Sequence, residues 1–129
     1  MKVKSPFNVM ELDTALEGYS STRERLTRAF NSPGELGDIA LKMGLYGTHI
    51  GDHLGALKAE YEQERAKKYL HNLKLNMSAT QAENLARSDN ADLKGQIARI
   101  ELAHKNLWGL VSIIQSRLRG LEKEASNSM

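Results

Sequence analysis

The sequence predicts an all-α protein, and three observations carry that expectation. Leu, Ala, Lys, Glu and Arg are plentiful while only two prolines interrupt 129 residues, a composition that favours helices. Apolar residues recur at spacings of three and four over long stretches, the period of an amphipathic helix. Capping residues stand where those stretches begin. The expected architecture is an N-terminal helix packed on a long antiparallel helical hairpin, with a short helix at the corner, in one oligomeric domain.

The first helix is expected over about residues 8–31, with Asn8 as a candidate cap. Val9, Leu12, Leu16, Tyr19, Leu26 and Phe30 give it a partial apolar face, and Ser20, Ser21 and Thr22 weaken its middle. Ser32, Pro33 and Glu35 then form a strong start signal: a capping serine, a proline at the first helical position and a glutamate to complete a capping box.

The second helix is expected over about residues 33–75. Leu36, Ile39, Met43, Tyr46, Ile50, Leu54, Leu57 and Tyr61 mark its buried face. Beyond Tyr61 the chain is almost wholly charged up to Lys68, and the apolar positions rotate to Ala66, Tyr69, Leu70 and Leu73. That change predicts a different environment for the end of this helix.

Past its first turn, five glycines, Gly37, Gly44, Gly47, Gly51 and Gly55, lie within it. Each costs a helix about 0.8–1.0 kcal/mol relative to alanine. Close approach of another helix, from the same chain or a neighbouring subunit, would offset that cost. These glycines are therefore candidate packing or oligomerisation positions.

Asn76, Met77 and Ser78 read as a connection. Ser78 with Gln81, or Thr80 with Glu83, starts a short helix over about residues 79–87. The last helix is expected over about residues 91–124 and has the most regular pattern in the chain. Leu93, Ile97, Ile100, His104, Leu107, Val111, Ile114, Leu118 and Leu121 alternate spacings of four and three, a heptad-like seam. Leu107, Val111, Ile114, Leu118 and Leu121 join the glycines as packing or oligomerisation candidates, and Leu110 and Ile113 widen the seam. His104 is a polar residue on that apolar line.

Several function classes lose support. With no cysteine, disulfide and thiolate chemistry are excluded. No nucleophile motif, phosphate loop or dinucleotide fingerprint is present, so enzyme activity and a cofactor are not expected. His49 and His53 sit four apart beside Asp52, but no second cluster completes a zinc site, so no metal is expected. The first residues lack the apolar run of a secretory signal, and no segment suits a bilayer, so a cytoplasmic location is expected.

A net charge of +2 does not announce nucleic-acid binding from bulk charge, so any such site must be local. One local cluster stands out on the second half of the long helix. Lys58, Arg65, Lys67, Lys68, His71 and Lys74 interleave with Tyr61 and Tyr69. Cations that neutralise phosphates beside rings that stack bases suit single-stranded DNA. Glu60, Glu62 and Glu64 partly cancel that charge. A second class of function, a helical adaptor or inhibitor that docks on a host or phage protein without touching nucleic acid, fits the same helices.

A family resemblance adds to this. Leu45 and Tyr46, the run His53-Leu54-Gly55-Ala56-Leu57-Lys58-Ala59-Glu60, then Ala66-Lys67-Lys68 and Leu73-Lys74-Leu75, are similar in order and spacing to the recombination mediator proteins of large tailed phages, the UvsY type. Trp108-Gly109-Leu110 and Ile114-Gln115-Ser116-Arg117 extend the likeness, which covers the chain from Ile39 to Glu124. The resemblance implies a small helical homo-oligomer in the host-cell cytoplasm. It would bind single-stranded DNA and help load a recombinase onto strands coated by single-strand-binding protein. The family carries a Lys-Ala-Arg-Leu element tied to DNA binding. Here the matching stretch is Asn72-Leu73-Lys74-Leu75, where Lys74 keeps the basic position and Asn72 replaces the first lysine. The glycine stripe is not part of the family pattern.

Overall fold

The computed structural model describes residues 10–127. Asn8 and Val9, expected to open the first helix, lie outside the described residues. Four helices follow one another: α1 (Leu12–Ala29), α2 (Pro33–Lys74), α3 (Ala79–Asp89) and α4 (Ala91–Asn127). No strand occurs among the described residues. The all-α expectation therefore stands, with four helices in the expected order.

The chain divides into two compact units. The first combines α1, α2 as far as Asp52, and α4 from Ala103 onward. The second is His53–Leu102, which holds the rest of α2, all of α3 and the start of α4.

In the first unit, α2 contributes Leu36, Ile39, Met43 and Ile50 to the core, and α4 contributes Leu107, Val111 and Ile114. These are seam positions that the period of three and four marks. Leu118 and Leu121 are half-buried, and Ile113 is exposed. The contribution of α1 is different. It buries Ala15, Tyr19, Thr22 and Ala29, three of them small residues at heptad spacing, while Phe30 is exposed and Leu12, Leu16 and Leu26 are half-buried. A helix that buries small residues lies close to its neighbour, so its large residues flank the contact rather than fill it.

Gly18 follows from that closeness. A Cβ on Gly18 would overlap the ring of Tyr46, so α1 and α2 meet where one side has no side chain. Pro33 is the first helical residue of α2, with Leu36 N donating to Ser32 O at 2.9 Å. Arg117 ties α4 to the α1–α2 turn. Its Nε donates to Phe30 O at 3.1 Å, and its Nη2 to Asn31 Oδ1 at 2.7 Å.

The second unit has a leaner core: Leu54, Ala82, Ala86, Ile97 and Ile100, with Asn72 buried among the polar residues. The helix α3 starts with a complete capping box, in which Ser78 accepts from Gln81 N and the Gln81 side chain accepts from Ser78 N. Two alanines, Ala82 and Ala86, form its buried face. With so little side chain to bury, α3 depends on its caps and on polar links to α2, one of them buried. That buried anchor is Asn72, whose Nδ2 donates to Ala82 O at 3.1 Å.

The end of α2 is sharply defined. Asn76 has φ 64°. Its N–H donates to Leu73 O at 3.1 Å, and Met77 N–H reaches Asn72 O at 3.4 Å. This is the Schellman pattern, with asparagine in the left-handed position that glycine most often fills. Asn76→Val should cost about 1–2 kcal/mol, because a β-branched residue resists positive φ. Asn76→Gly should leave stability equal or higher. Urea unfolding followed by circular dichroism reads both, and equal stability of the valine variant would refute the assignment.

Candidate nucleic-acid interface

At 3.6 residues per turn, the basic cluster of α2 falls on two faces of the helix rather than one. Lys67, His71 and Lys74 share an arc of about 60°. All three are exposed. Lys58, Arg65 and Tyr69 lie on the opposite side, about 160–200° from Lys67, with Lys68 between. Tyr69 is half-buried. The sequence cluster is therefore an outer row of two lysines and a histidine without a tyrosine, and an inner row that meets α3 and α4.

The inner row is held by carboxylates. Lys58 Nζ lies 3.1 Å from Glu101 Oε1, and Lys68 Nζ lies 3.5 Å from Asp89 Oδ2. Arg65 is the most engaged. Its Nη1 donates to both Glu83 oxygens, at 2.7 and 3.0 Å, and its Nη2 donates to Glu62 Oε2 at 3.0 Å. The Glu62 hydrogen bond, with the charge of Glu83, holds the guanidinium pKa above its ordinary value, while desolvation opposes them. Glu83 in turn accepts from Arg87 Nε at 2.9 Å. That bond, with the charge of Arg65 nearby, holds the Glu83 carboxyl below the usual carboxylate range against desolvation. The result is a relay, Arg65–Glu83–Arg87, that links α2 to α3.

In the outer row, Lys67 Nζ lies 3.6 Å from Glu64 Oε1, and its side chain is 74% exposed. That pair joins neighbours on one helix face and is worth little in water. Lys74 enters no ion pair among the described residues. Five residues outside the sequence-derived cluster join this region: Glu83, Arg87, Asp89, Lys94 and Glu101. The ammonium of Lys94 lies over the ring of Tyr61, 5.9 Å from its centroid. Arg87 and Lys94 stand on separate helical segments with no motif around them, so only the fold brings them near α2.

The glycine stripe also divides. A Cβ on Gly47 would lie 2.7 Å from Leu107 Cδ2 and 2.8 Å from Trp108 Cζ2. A Cβ on Gly51 would lie 3.1 Å from His104 Nε2. At these two glycines, α4 approaches α2 within the chain. Gly37, Gly44 and Gly55 have no atom within 4 Å of such a Cβ. His104 is half-buried, and its Nε2 accepts from Trp108 Nε1 at 2.9 Å. The pair forms a polar brace beside the glycines. His49 is buried and its Nδ1 accepts from Met10 N at 3.1 Å.

Among the described residues, no group of three His, Cys, Asp or Glu side chains converges as a metal site. No helix among them is long and apolar enough to cross a membrane. No protein-family model, curated protein or solved structure matches the chain.

Proposed function

We propose that this chain is a non-enzymatic accessory protein of DNA recombination that binds single-stranded DNA weakly and helps a recombinase replace single-strand-binding protein. In this reading α2 and α4 form an antiparallel hairpin, and copies of the chain assemble into a homo-oligomer. The family resemblance supplies the pathway. The observation that carries the DNA contact is the outer row of α2, where Lys67, His71 and Lys74 stand exposed on one face. Lys67 is held only by a neighbouring carboxylate, and Lys74 by none among the described residues.

A mediator needs contacts that exchange readily. A phosphate can displace a surface carboxylate at little cost, because an exposed ion pair contributes little in water. Such binding reads charge and not sequence, and it weakens with salt. An electrophoretic shift with a labelled oligothymidylate tests this. Binding at low salt should fall as salt rises, with a log–log slope of about −0.7 for each phosphate neutralised. Lys67→Glu, Lys68→Glu and Lys74→Glu combined should abolish it. A wild-type protein that leaves the oligonucleotide unshifted at low salt refutes the reading.

A second reading has its own observation. Leu41 and Leu45 are 75% and 50% exposed, and they share an arc of about 100° on α2 with Gly37 and Gly44. An open apolar face of this kind suits an adaptor that docks on another protein. The triple lysine reversal would leave that function intact.

A further inference from the structure

The sequence directs attention to the lysines of α2, yet the second unit holds a separate hollow with a different set of cations. It is an open depression of about 350 Å³ lined by Tyr61, Glu62, Arg65, Arg87 and Lys94. We propose that this hollow is a phosphodiester subsite, in which Arg87 and Lys94 hold the phosphate and Tyr61 offers the ring for an adjoining base. The inference deepens the single-stranded DNA reading and rests on it.

The fold explains why these groups meet. Arg87 lies in the last turn of α3 and Lys94 in the first turn of α4, with Asn90 as the break between them. Asn90 N donates to Arg87 O at 3.2 Å and Lys94 N donates to Asn90 O at 3.1 Å. The Asn90 side chain bonds back to Ala86 O at 2.9 Å. This tight corner sets the two cations beside the α2 face that carries Tyr61 and Arg65.

The cations differ in what they have to spare. Arg65 is committed, since its Nε, Nη1 and Nη2 all donate to Glu62 or Glu83. Arg87 gives only its Nε, to Glu83. Its two terminal nitrogens make no hydrogen bond among the described residues, and its side chain is 63% exposed. Lys94 pairs with no carboxylate among the described residues and rests on the Tyr61 ring. An ammonium over a tyrosine face gains modestly when exposed, so a phosphate oxygen can draw it away.

The carboxylates of the hollow are already engaged. Glu62 is occupied by Arg65, and Glu83 by Arg65 and Arg87. Three cations therefore stand against two carboxylates, and the charge left over sits on the two groups with free donors. Guanidinium suits a phosphate's paired oxygens, and ammonium acts as a point charge beside it. Arg65 is a positioning residue here, since it holds the Glu83 carboxylate that orients Arg87. A tyrosine ring is sequence-tolerant toward bases, which suits a strand bound without readout.

The test uses the full chain labelled for NMR, with Arg87→Gln/Lys94→Gln as the variant. Both side chains lie at the surface of the hollow, and circular dichroism checks that the variant stays helical. With an oligothymidylate at low salt, wild-type Tyr61 ring and Lys94 side-chain signals should shift together. The variant should bind about tenfold more weakly, with a salt slope shallower by about 0.7 for each phosphate that it no longer neutralises. Wild-type affinity and slope in the variant would overturn the subsite, as would stationary Tyr61 and Lys94 signals. If the wild type ignores the oligonucleotide altogether, the DNA reading fails. Shifts of Tyr61 and Lys94 with thymidine monophosphate would then uphold the hollow as a nucleotide-phosphate site. A response to inorganic phosphate with none to the nucleotide would overturn it.

Discussion

Gly47→Leu is expected to destabilise the first unit by about 1–3 kcal/mol, the usual cost of forcing volume into a filled contact. Even the first added carbon would stand 2.7 Å from Leu107 Cδ2 and 2.8 Å from Trp108 Cζ2. Leu107 is fully buried, and protein interiors are close-packed with few voids to move into. Trp108 is braced by its bond to His104. Gly44→Ala is the matched control. It meets nothing within 4 Å and should stabilise the same helix by about 0.8–1.0 kcal/mol through propensity alone. The two changes lie three residues apart on α2 and carry opposite signs. Urea unfolding measured by circular dichroism separates them. Trp108 is the sole tryptophan, so its fluorescence should change in Gly47→Leu and not in Gly44→Ala. A leucine variant as stable as the wild type would refute the close approach of α4 at this position.

That contrast shows what a sequence can and cannot disclose about glycines. Five of them past the first turn of one helix signal an uncompensated propensity cost, and at Gly47 and Gly51 side chains of α4 stand where a Cβ would be. It says nothing of which neighbour takes the space, and it is blind to Gly18. That residue lies in α1 among mixed residues, and its role depends on a Tyr46 ring from another helix. The α1 face is hard to read for a related reason. Its contact is made by Ala15, Thr22 and Ala29, which pattern weakly beside Leu16 and Leu26, although they are the better buried. The α4 seam is legible because its contact residues are large. Leu107, Val111 and Ile114 announce themselves by period alone.

The candidate site divides along the same line. Local chemistry is readable: Ser78 and Gln81 form the expected capping box, because both partners are within one helical turn. The α2 cations are visible as a run, but their partners are not. Glu83, Asp89 and Glu101 lie 18 to 43 residues away from the cations that they hold. No local pattern links groups so separated, and only the return of α3 and α4 along α2 does. Periodicity alone splits the run into two faces, since Tyr69 is nearly opposite Lys67 at 3.6 residues per turn.

Residue 72 joins the fold and the function most directly. The resemblance places a family lysine where this chain has Asn72, and it is natural to ask whether restoring it would strengthen DNA binding. The structure gives the opposite expectation. Asn72 is 1% exposed, and its amide donates to Ala82 O at 3.1 Å. Asn72→Lys would place an ammonium under α3, where no carboxylate bonds to the present side chain. An unpaired buried charge costs several kcal/mol, and snorkelling toward the surface recovers only part of that. The expected loss is about 3 kcal/mol or more, with Asn72→Leu milder at about 1–3 kcal/mol from the lost buried hydrogen bond. Because α3 buries only two alanines, release of this anchor should free it before the first unit unfolds. Hydrogen exchange at the amides of Ala82 and Ala86 should therefore quicken in Asn72→Lys, while Leu107 and Ile114 keep their protection. Freed α3 also takes Glu83 and Arg87 away from Arg65 and from the hollow with Tyr61. Asn72→Lys should thus bind single-stranded DNA no better than the wild type, in spite of its added charge. Native protection of α3 together with tighter DNA binding would show instead that residue 72 faces the DNA, as the family element implies.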